Sequence, residues 1–249
     1  MNILNYTIKT NNYDIYCRKY LPESSINQVV IGVHGFAGDK DSSMLYALAQ
    51  QLCNHHQALI CFDFPAHGES KASDDCLRVH NCISDLKLVI KDVKASYPNA
   101  SYAIFATSFG AYITLLCINE LEEFDIVLRA PAITIADSFI DIILPVSKEQ
   151  FFKDKGAICG FERKMFVTTD FYQDLLDYKI PDFTHPLTII HGSEDDIIPY
   201  QAVCNFVKDN SYITLKTIQG ADHRFKKDGE LEQVLDASLN VFLNKKDRS

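Results

Sequence analysis

The run Val29-Val30-Ile31-Gly32-Val33 constrains this chain more than any other feature, because it holds no polar side chain at any position. A strand with one face in water alternates apolar and polar residues, whereas a continuous run fits a strand covered on both faces. Similar runs recur at Ala58 to Phe62, Tyr102 to Ala106, Ile126 to Leu128 and Leu187 to Ile190. Helical patterns separate or follow them at Ser43 to Asn54, Leu77 to Ala95, Ala111 to Leu121, Gln201 to Lys208 and Leu231 to Leu243. Strands alternating with helices, in units long enough for crossovers, predict an α/β protein with a mostly parallel central sheet and helices on both faces.

Two segments depart from that rhythm. Ile3 to Ile8 and Tyr13 to Lys19 alternate apolar and polar, and Asn11-Asn12 supplies a turn, so a hairpin is expected ahead of Pro22. Between Pro131 and Pro186 the alternation of strand and helix stops, and aromatics crowd in: Phe139, Phe151, Phe152, Phe161, Phe166, Phe171, Tyr172 and Tyr178. A stretch of that length inside a compact domain is usually a functional or structured insertion. Residues 131–185 are therefore expected to fold as a small helical lid, the alternative being a pair of ordinary connecting helices. One hydrophobic core can organise a chain of 249 residues, so 1–249 is expected to be a single domain with the lid inside it.

The chemistry concentrates where these strands end. At Ala106-Thr107-Ser108-Phe109-Gly110 a buried strand runs straight into a helix with Ser108 at the corner. A sharp strand-to-helix turn needs small residues two before and two after the serine, and this is the G-x-S-x-G elbow with alanine in first place. The turn lifts the hydroxyl above the sheet, where the helix N-terminus and the Phe109 amide favour negative charge. A serine that merely caps a helix is the alternative for this motif taken alone. His34-Gly35-Phe36-Ala37-Gly38 follows the strand ending at Val33, and Asp63-Phe64-Pro65-Ala66-His67-Gly68 follows the next. His191-Gly192-Ser193-Glu194-Asp195-Asp196 and Gly220-Ala221-Asp222-His223 close two later strands. All these clusters fall at the carboxyl edge, where open α/β sheets bind their ligands.

Taken together, these motifs resemble the α/β-hydrolase superfamily, and more narrowly its monoacylglycerol lipase and cinnamoyl or feruloyl esterase branch. The resemblance covers residues 1 to 130 and 186 to 245, in the order nucleophile, acid, histidine. It implies the α/β-hydrolase fold, with a sheet of about eight strands and a short lid. It further implies Ser108, Asp195 and His223 as a catalytic triad and the backbone amides of Phe36 and Phe109 as the oxyanion hole. Glu194, Asp196 and Asp222 are the rivals for the acid; the family spacing, four after His191 and four before Pro199, selects Asp195.

The chemistry of the residue types agrees. Serine needs a base, histidine can take its proton and return it to the leaving group, and a carboxylate fixes the imidazole tautomer. Phe139, Phe161 and Phe166 are expected to line the substrate cleft. His34 and His67 are expected to bond loop backbone near the site, and the neighbours His55-His56 diverge too far to share a metal. No metal site and no cofactor are expected, since HExxH, paired CxxC, GxGxxG and P-loop patterns are missing from the sequence.

Composition narrows the partners. With 24 Lys and Arg against 33 Asp and Glu the net charge is -9, which opposes nucleic acid binding. There is no run of 18 apolar residues and no basic start followed by an apolar stretch, so neither a membrane span nor secretion is expected. Eight cysteines without framework spacing read as reduced thiols in a cytoplasmic protein. The expectation is a hydrolase of small to medium carboxylic esters acting through an acyl-enzyme, its partner a small-molecule ester with an apolar or aromatic acid part. A thioesterase or peptidase would use the same triad, and a non-catalytic ligand-binding protein could use the same fold. No oligomeric state is implied.

Overall fold

The computed structural model describes residues 1–160 and 163–243. Its strands are β1 (Asn2–Ile8), β2 (Ile15–Leu21), β3 (Gln28–Val33), β4 (Gln57–Phe62), β5 (Ser101–Thr107), β6 (Phe124–Arg129), β7 (Gly156–Cys159), β8 (Met165–Thr168), β9 (Leu187–Gly192) and β10 (Ile213–Ile218). The helices are α1 (Ser43–Asn54), α2 (Val79–Ser96), α3 (Phe109–Leu116), α4 (Ile135–Ser138), α5 (Lys148–Lys153), α6 (Thr169–Asp177), α7 (Tyr200–Lys208) and α8 (Glu230–Leu243). Helix α4 runs on into a π-helical turn, Phe139–Ile143.

Eight strands form one sheet in the order β1-β2-β4-β3-β5-β6-β9-β10. The β1–β2 hairpin joins antiparallel to β4, and every pairing from β4 across to β10 is parallel. The continuous apolar runs explain this arrangement: β3, β4 and β9 are buried at every residue. Alternate side chains of β3 serve opposite layers. Val29, Ile31 and Val33 pack in one core with Leu86 and Val89 of α2 and Ile113 of α3. Val30 packs in the other with Leu48 and Leu52 of α1 and Val234 and Phe242 of α8. Helices on both faces leave only the strand ends open, and the strand ends carry the polar motifs. The turn of the first hairpin is tied by Thr10, whose hydroxyl accepts from the amides of Asn12 and Tyr13.

The insertion between β6 and β9 differs from the helical lid expected for residues 131–185. It contains α4, α5 and α6, but also an antiparallel hairpin of β7 and β8, paired from Gly156↔Thr168 to Cys159↔Met165. Ala157, Cys159, Met165 and Val167 face inward, while Ile158 and Phe166 face out. The alternation is genuine strand patterning, but four residues per strand are too few to stand out among the surrounding aromatics. Helix α3 also starts and stops earlier than its apolar pattern suggests, and Ile118–Glu120 forms a separate 3-10 turn. Among the described residues no helix is long and apolar enough to cross a membrane.

Candidate active site

Strand β5 delivers Ser108 in a strained conformation. Its φ of 50° and ψ of -112° lie in a region that side chains other than glycine seldom adopt. The surrounding backbone holds it there. The Ser108 amide donates to the Arg129 carbonyl at 2.9 Å, and its carbonyl accepts from the amides of Tyr112 and Ala132 at 3.1 and 3.2 Å. Helix α3 begins on the very next residue and passes so close to the end of β3 that a methyl on Gly110 would lie 2.3 Å from the His34 carbonyl oxygen. That contact is why position 110 is glycine. Ala106 meets no such neighbour; it sits fully buried, paired in register with Val33 and Leu128, so the alanine at the elbow's first place is accommodated as ordinary core.

The histidine comes from the loop after β10 and the acid from the loop after β9. His223 Nε2 lies 3.0 Å from Ser108 Oγ, and its Nδ1 lies 2.8 and 3.0 Å from the two oxygens of Asp195. Because Nδ1 faces a carboxylate, the neutral ring carries its proton there, which leaves the Nε2 lone pair facing the hydroxyl. The Asp195 side chain is fully buried and also accepts from the amides of Ile197 and Ile198, at 2.9 and 2.7 Å. Burial opposes its charge, but the hydrogen bond and charge of His223, the Ile198 amide and His191 outweigh it, and its pKa lies below the ordinary carboxylate value.

The rival acids are engaged elsewhere. Among the described residues Asp196 accepts only the backbone amide of His223, at 3.3 Å, and Asp222 accepts the amides of Arg224 and Phe225. Glu194 lies at the surface beside Lys227.

His34 and His67 fasten the loops that flank the serine. Each donates through Nδ1 to a carbonyl, of Gly35 and Pro65, and accepts at Nε2 from an amide, of Phe64 and Ala37. Such a ring must be neutral, and burial lowers both pKa values. Between the same two loops lies an ion pair that the sequence does not announce. Lys40, 1% exposed, bonds Asp63 at 2.8 Å and reaches Glu69 at 2.6 Å, while Asp63 also accepts the Lys40 amide. His191, at the end of β9, is another buried ring in the site: Nε2 faces the Ile198 carbonyl at 3.0 Å and lies 3.3 Å from Asp195. Among the described residues no group of three or more His, Cys, Asp and Glu side chains could hold a metal ion.

A cleft of about 320 Å³, counting the open solvent at its mouth, adjoins Ser108 and is otherwise almost wholly apolar. Its walls include Phe36, Phe109, Phe139, Phe171, Leu175 and Ile198, and its second hydroxyl, on Ser138, is already bonded to the Ile197 carbonyl at 2.9 Å. The Phe36 and Phe171 rings are stacked 6.3 Å apart, with Phe139 edge-on to both. Of the three phenylalanines expected to line the cleft, Phe139 does so. Phe166 does not: it occupies an outward position of β8 and is 38% exposed, because the alternation that buries Met165 and Val167 turns it away. Phe161 lies outside the described residues. Phe171 lines the cleft from α6, and the aliphatic residues Ile135, Ile143, Leu175, Ile197 and Ile198 were not singled out, since in sequence nothing separates them from core residues.

Residues 24–154, more than half of the chain, match the family model described as serine aminopeptidase, S33. No curated protein matches the sequence. Similar solved structures include a putative hydrolase from Agrobacterium vitis S4, with a TM-score of 0.82 at 18% identity, covering 97% of this chain and 99% of that one. Est1E from Butyrivibrio proteoclasticus, solved with ferulic acid bound, has a TM-score of 0.81 at 18% identity, covering 96% of this chain and 100% of that one. A Xanthomonas campestris protein described as an α/β serine hydrolase without lid has a TM-score of 0.69 at 18% identity, covering 99% and 96%. At these identities the likeness is one of fold.

Proposed function

The chain belongs to the serine aminopeptidase S33 family of α/β hydrolases and is a serine hydrolase, and from that premise we propose that it cleaves carboxylic esters with an apolar acyl group through an acyl-enzyme. The observation that carries the proposal is the unbroken series from Asp195 through His223 to Ser108, at 2.8 and 3.0 Å, ending under an apolar cleft.

In this reading Ser108 Oγ attacks the ester carbonyl as His223 Nε2 takes its proton. The carbonyl oxygen becomes an oxyanion facing the amides of Phe36 and Phe109, the latter a first-turn amide that has no partner within its helix. Collapse expels the alcohol, which receives the proton from His223. Water, deprotonated by the same nitrogen, then attacks the acyl-serine and restores the enzyme. Asp195 keeps the ring in the tautomer both steps need and stabilises the imidazolium. Residues 131–185 act as the lid, which supplies Phe139 and Phe171 to the acyl side and excludes water.

The lining favours esters over the peptides suggested by the family's description. An aminopeptidase must receive the α-ammonium of its substrate, and among the described residues no carboxylate lines this cleft. An uncharged acyl group loses nothing by entering such walls, and the ferulic acid bound to Est1E supports a flat aromatic acid as one candidate. A cytoplasmic setting belongs to the same proposal, supported by eight free cysteines, five of them buried.

The test is labelling by a fluorophosphonate, followed by ester, thioester and aminoacyl-amide panels. We expect one adduct, on Ser108, with its loss and a fall in turnover of about 10³-fold or more in Ser108→Ala. Parent-like turnover in that variant overturns the mechanism, and faster cleavage of aminoacyl amides than of esters overturns the substrate class.

A further inference from the structure

Arg129, the last residue of β6, is buried yet belongs to neither the core nor the hydrogen-bonded series at Ser108. Its backbone and side chain face different parts of the site. The carbonyl receives the Ser108 amide at 2.9 Å. The guanidinium donates through Nη2 to the Arg224 carbonyl at 2.7 Å, one residue beyond His223, and its carbon lies 4.6 Å from the centre of the Phe225 ring. Nε is buried without a hydrogen-bond partner.

The loop it grips needs holding. Phe225 has a φ of 56°, a left-handed conformation that is an outlier for a bulky side chain, so the backbone just past His223 is strained. Asp222 bonds the loop from within, through the amides of Arg224 and Phe225. Arg129 adds a bond from outside, beside those of Asp195 and Asp196 to His223, and reaches across from the strand that also fixes the serine.

Charge supplies the second part of the argument. Burial lowers the pKa of this guanidinium to about 10, against the opposing charges of Asp195 and Asp222, so it still carries its charge at neutral pH. The guanidinium stands at the Arg224 carbonyl, one residue beyond the ring that becomes an imidazolium during turnover. Among the described residues the other charged or titratable groups around His223 are Asp195 and Asp196 from the loop after β9, His191 from β9 itself, and its neighbours Asp222 and Arg224.

We propose that Arg129 is a positioning residue: it clamps the His223 loop against Ser108 through the Arg224 carbonyl and the Phe225 ring, and its buried charge beside that loop disfavours the imidazolium. The proposal rests on the hydrolase reading for its kinetic consequence but not for its electrostatic one.

The experiment compares pH profiles of kcat/KM for the parent, Arg129→Met and Arg129→Lys. Methionine keeps length and removes both charge and donor. With that positive charge gone from beside the loop the ring protonates more readily, so the acid limb moves to higher pH, by about half a unit or more. With the clamp gone, kcat falls about tenfold while KM changes little. Lysine keeps the charge but ends one atom short of the position of Nη2, so its acid limb stays with the parent's while kcat still falls. An Arg129→Met enzyme with the parent's acid limb and kcat, whatever its melting temperature, overturns the proposal. If Arg129→Met does not fold, the lysine variant decides, and a parental kcat there overturns the clamp. NMR titration of the His223 ring in parent and variant reads the coupling without turnover. Coincident midpoints overturn the electrostatic role, whereas a parent that cleaves no ester overturns the ester reading alone.

Discussion

Replacing Gly110 with alanine sets a local preference against a tertiary contact. Gly110 is the second residue of α3 and has no left-handed φ, so alanine fits its backbone, and a helix favours alanine over glycine by up to about 1 kcal/mol. The packing argues the other way. The new methyl would lie 2.3 Å from the His34 carbonyl oxygen and 2.8 Å from both the Val33 carbonyl oxygen and Val33 Cγ1, where ordinary contact begins at 3.4 Å. Relief needs a shift of about an ångström in α3 or in the end of β3, and β3 is held by β4 on one side and β5 on the other. Overpacking of this kind costs about 1–3 kcal/mol. After the helical gain, a net loss of up to about 2 kcal/mol lowers Tm by up to roughly 8 °C in a domain of this size. Activity should suffer more. His34 and Gly35 lead into the Phe36 amide, and a Cβ built on Gly35 would already stand 3.2 Å from Ser108 Cβ, so any shift misaligns the two sides of the site. An error of an ångström in such geometry costs about 100-fold. Scanning calorimetry and kcat/KM on a short-chain ester measure the two effects. A Tm at or above the parent's, with kcat/KM within about twofold, would show that helix propensity decides here and refute the close-approach account of this glycine.

Three further outcomes are expected. Asp195→Asn should lower kcat/KM by roughly 10³- to 10⁴-fold through loss of the right tautomer. Asp196→Asn should cost little, since its carboxylate meets only a backbone amide; a crippled Asp196→Asn enzyme with a working Asp195→Asn one would reverse the assignment. Asp85, buried in α2 with both oxygens 3.1 Å from the Tyr13 hydroxyl, has its pKa pushed up to about 7 by burial, against the opposing hydrogen bond. Between about pH 4 and pH 7 the folded state therefore holds a proton that the unfolded chain releases, and stability falls as pH rises, by up to about 4 kcal/mol. Asp85→Asn removes that loss, so its advantage over the parent in urea unfolding should be larger at pH 8 than at pH 5, and an equal difference at both would count against a raised Asp85. Phe171→Ala should change the ranking of acetate, butyrate, octanoate and hydroxycinnamate esters, because its ring walls the cleft beside Phe36, whereas Phe166→Ala should leave the ranking alone. Superimposable rankings for Phe171→Ala and the parent would remove that ring from the acyl pocket.

What could be read in the sequence was whatever depends on near neighbours. The strands β3, β4 and β5 hold unbroken apolar runs and β9 one interrupted by Thr188, and such a run needs no distant partner to be recognised. Ser108 was legible because the elbow demands small residues within two positions, although only Gly110 proves to need its smallness for a close approach. The acid was less legible, since Glu194, Asp195, Asp196 and Asp222 are alike in sequence. What separates them is a turn in which the amides of Ile197 and Ile198 fold back onto Asp195 and aim it at a ring 28 positions away.

Charged side chains buried between loops were not legible at all. Lys40 reads as a surface lysine until Asp63, 23 positions on, is brought against it, and Arg129 reads as the exposed end of a strand until the Arg224 carbonyl arrives from 95 positions away. Apolar periodicity encodes the sheet, which carries each loop to one edge, but it does not encode how the loops fit together there. That fit is polar. His34, His67 and the Lys40–Asp63 pair join the loops after β3 and β4, and Arg129 joins the ends of β5 and β6 to the His223 loop. A buried charge is kept only where its partners are fixed, because removing one partner strands the other in a medium that cannot solvate it. The loops at this edge are therefore held by the contacts least tolerant of displacement, and Ser108 and His223 stand where those contacts meet.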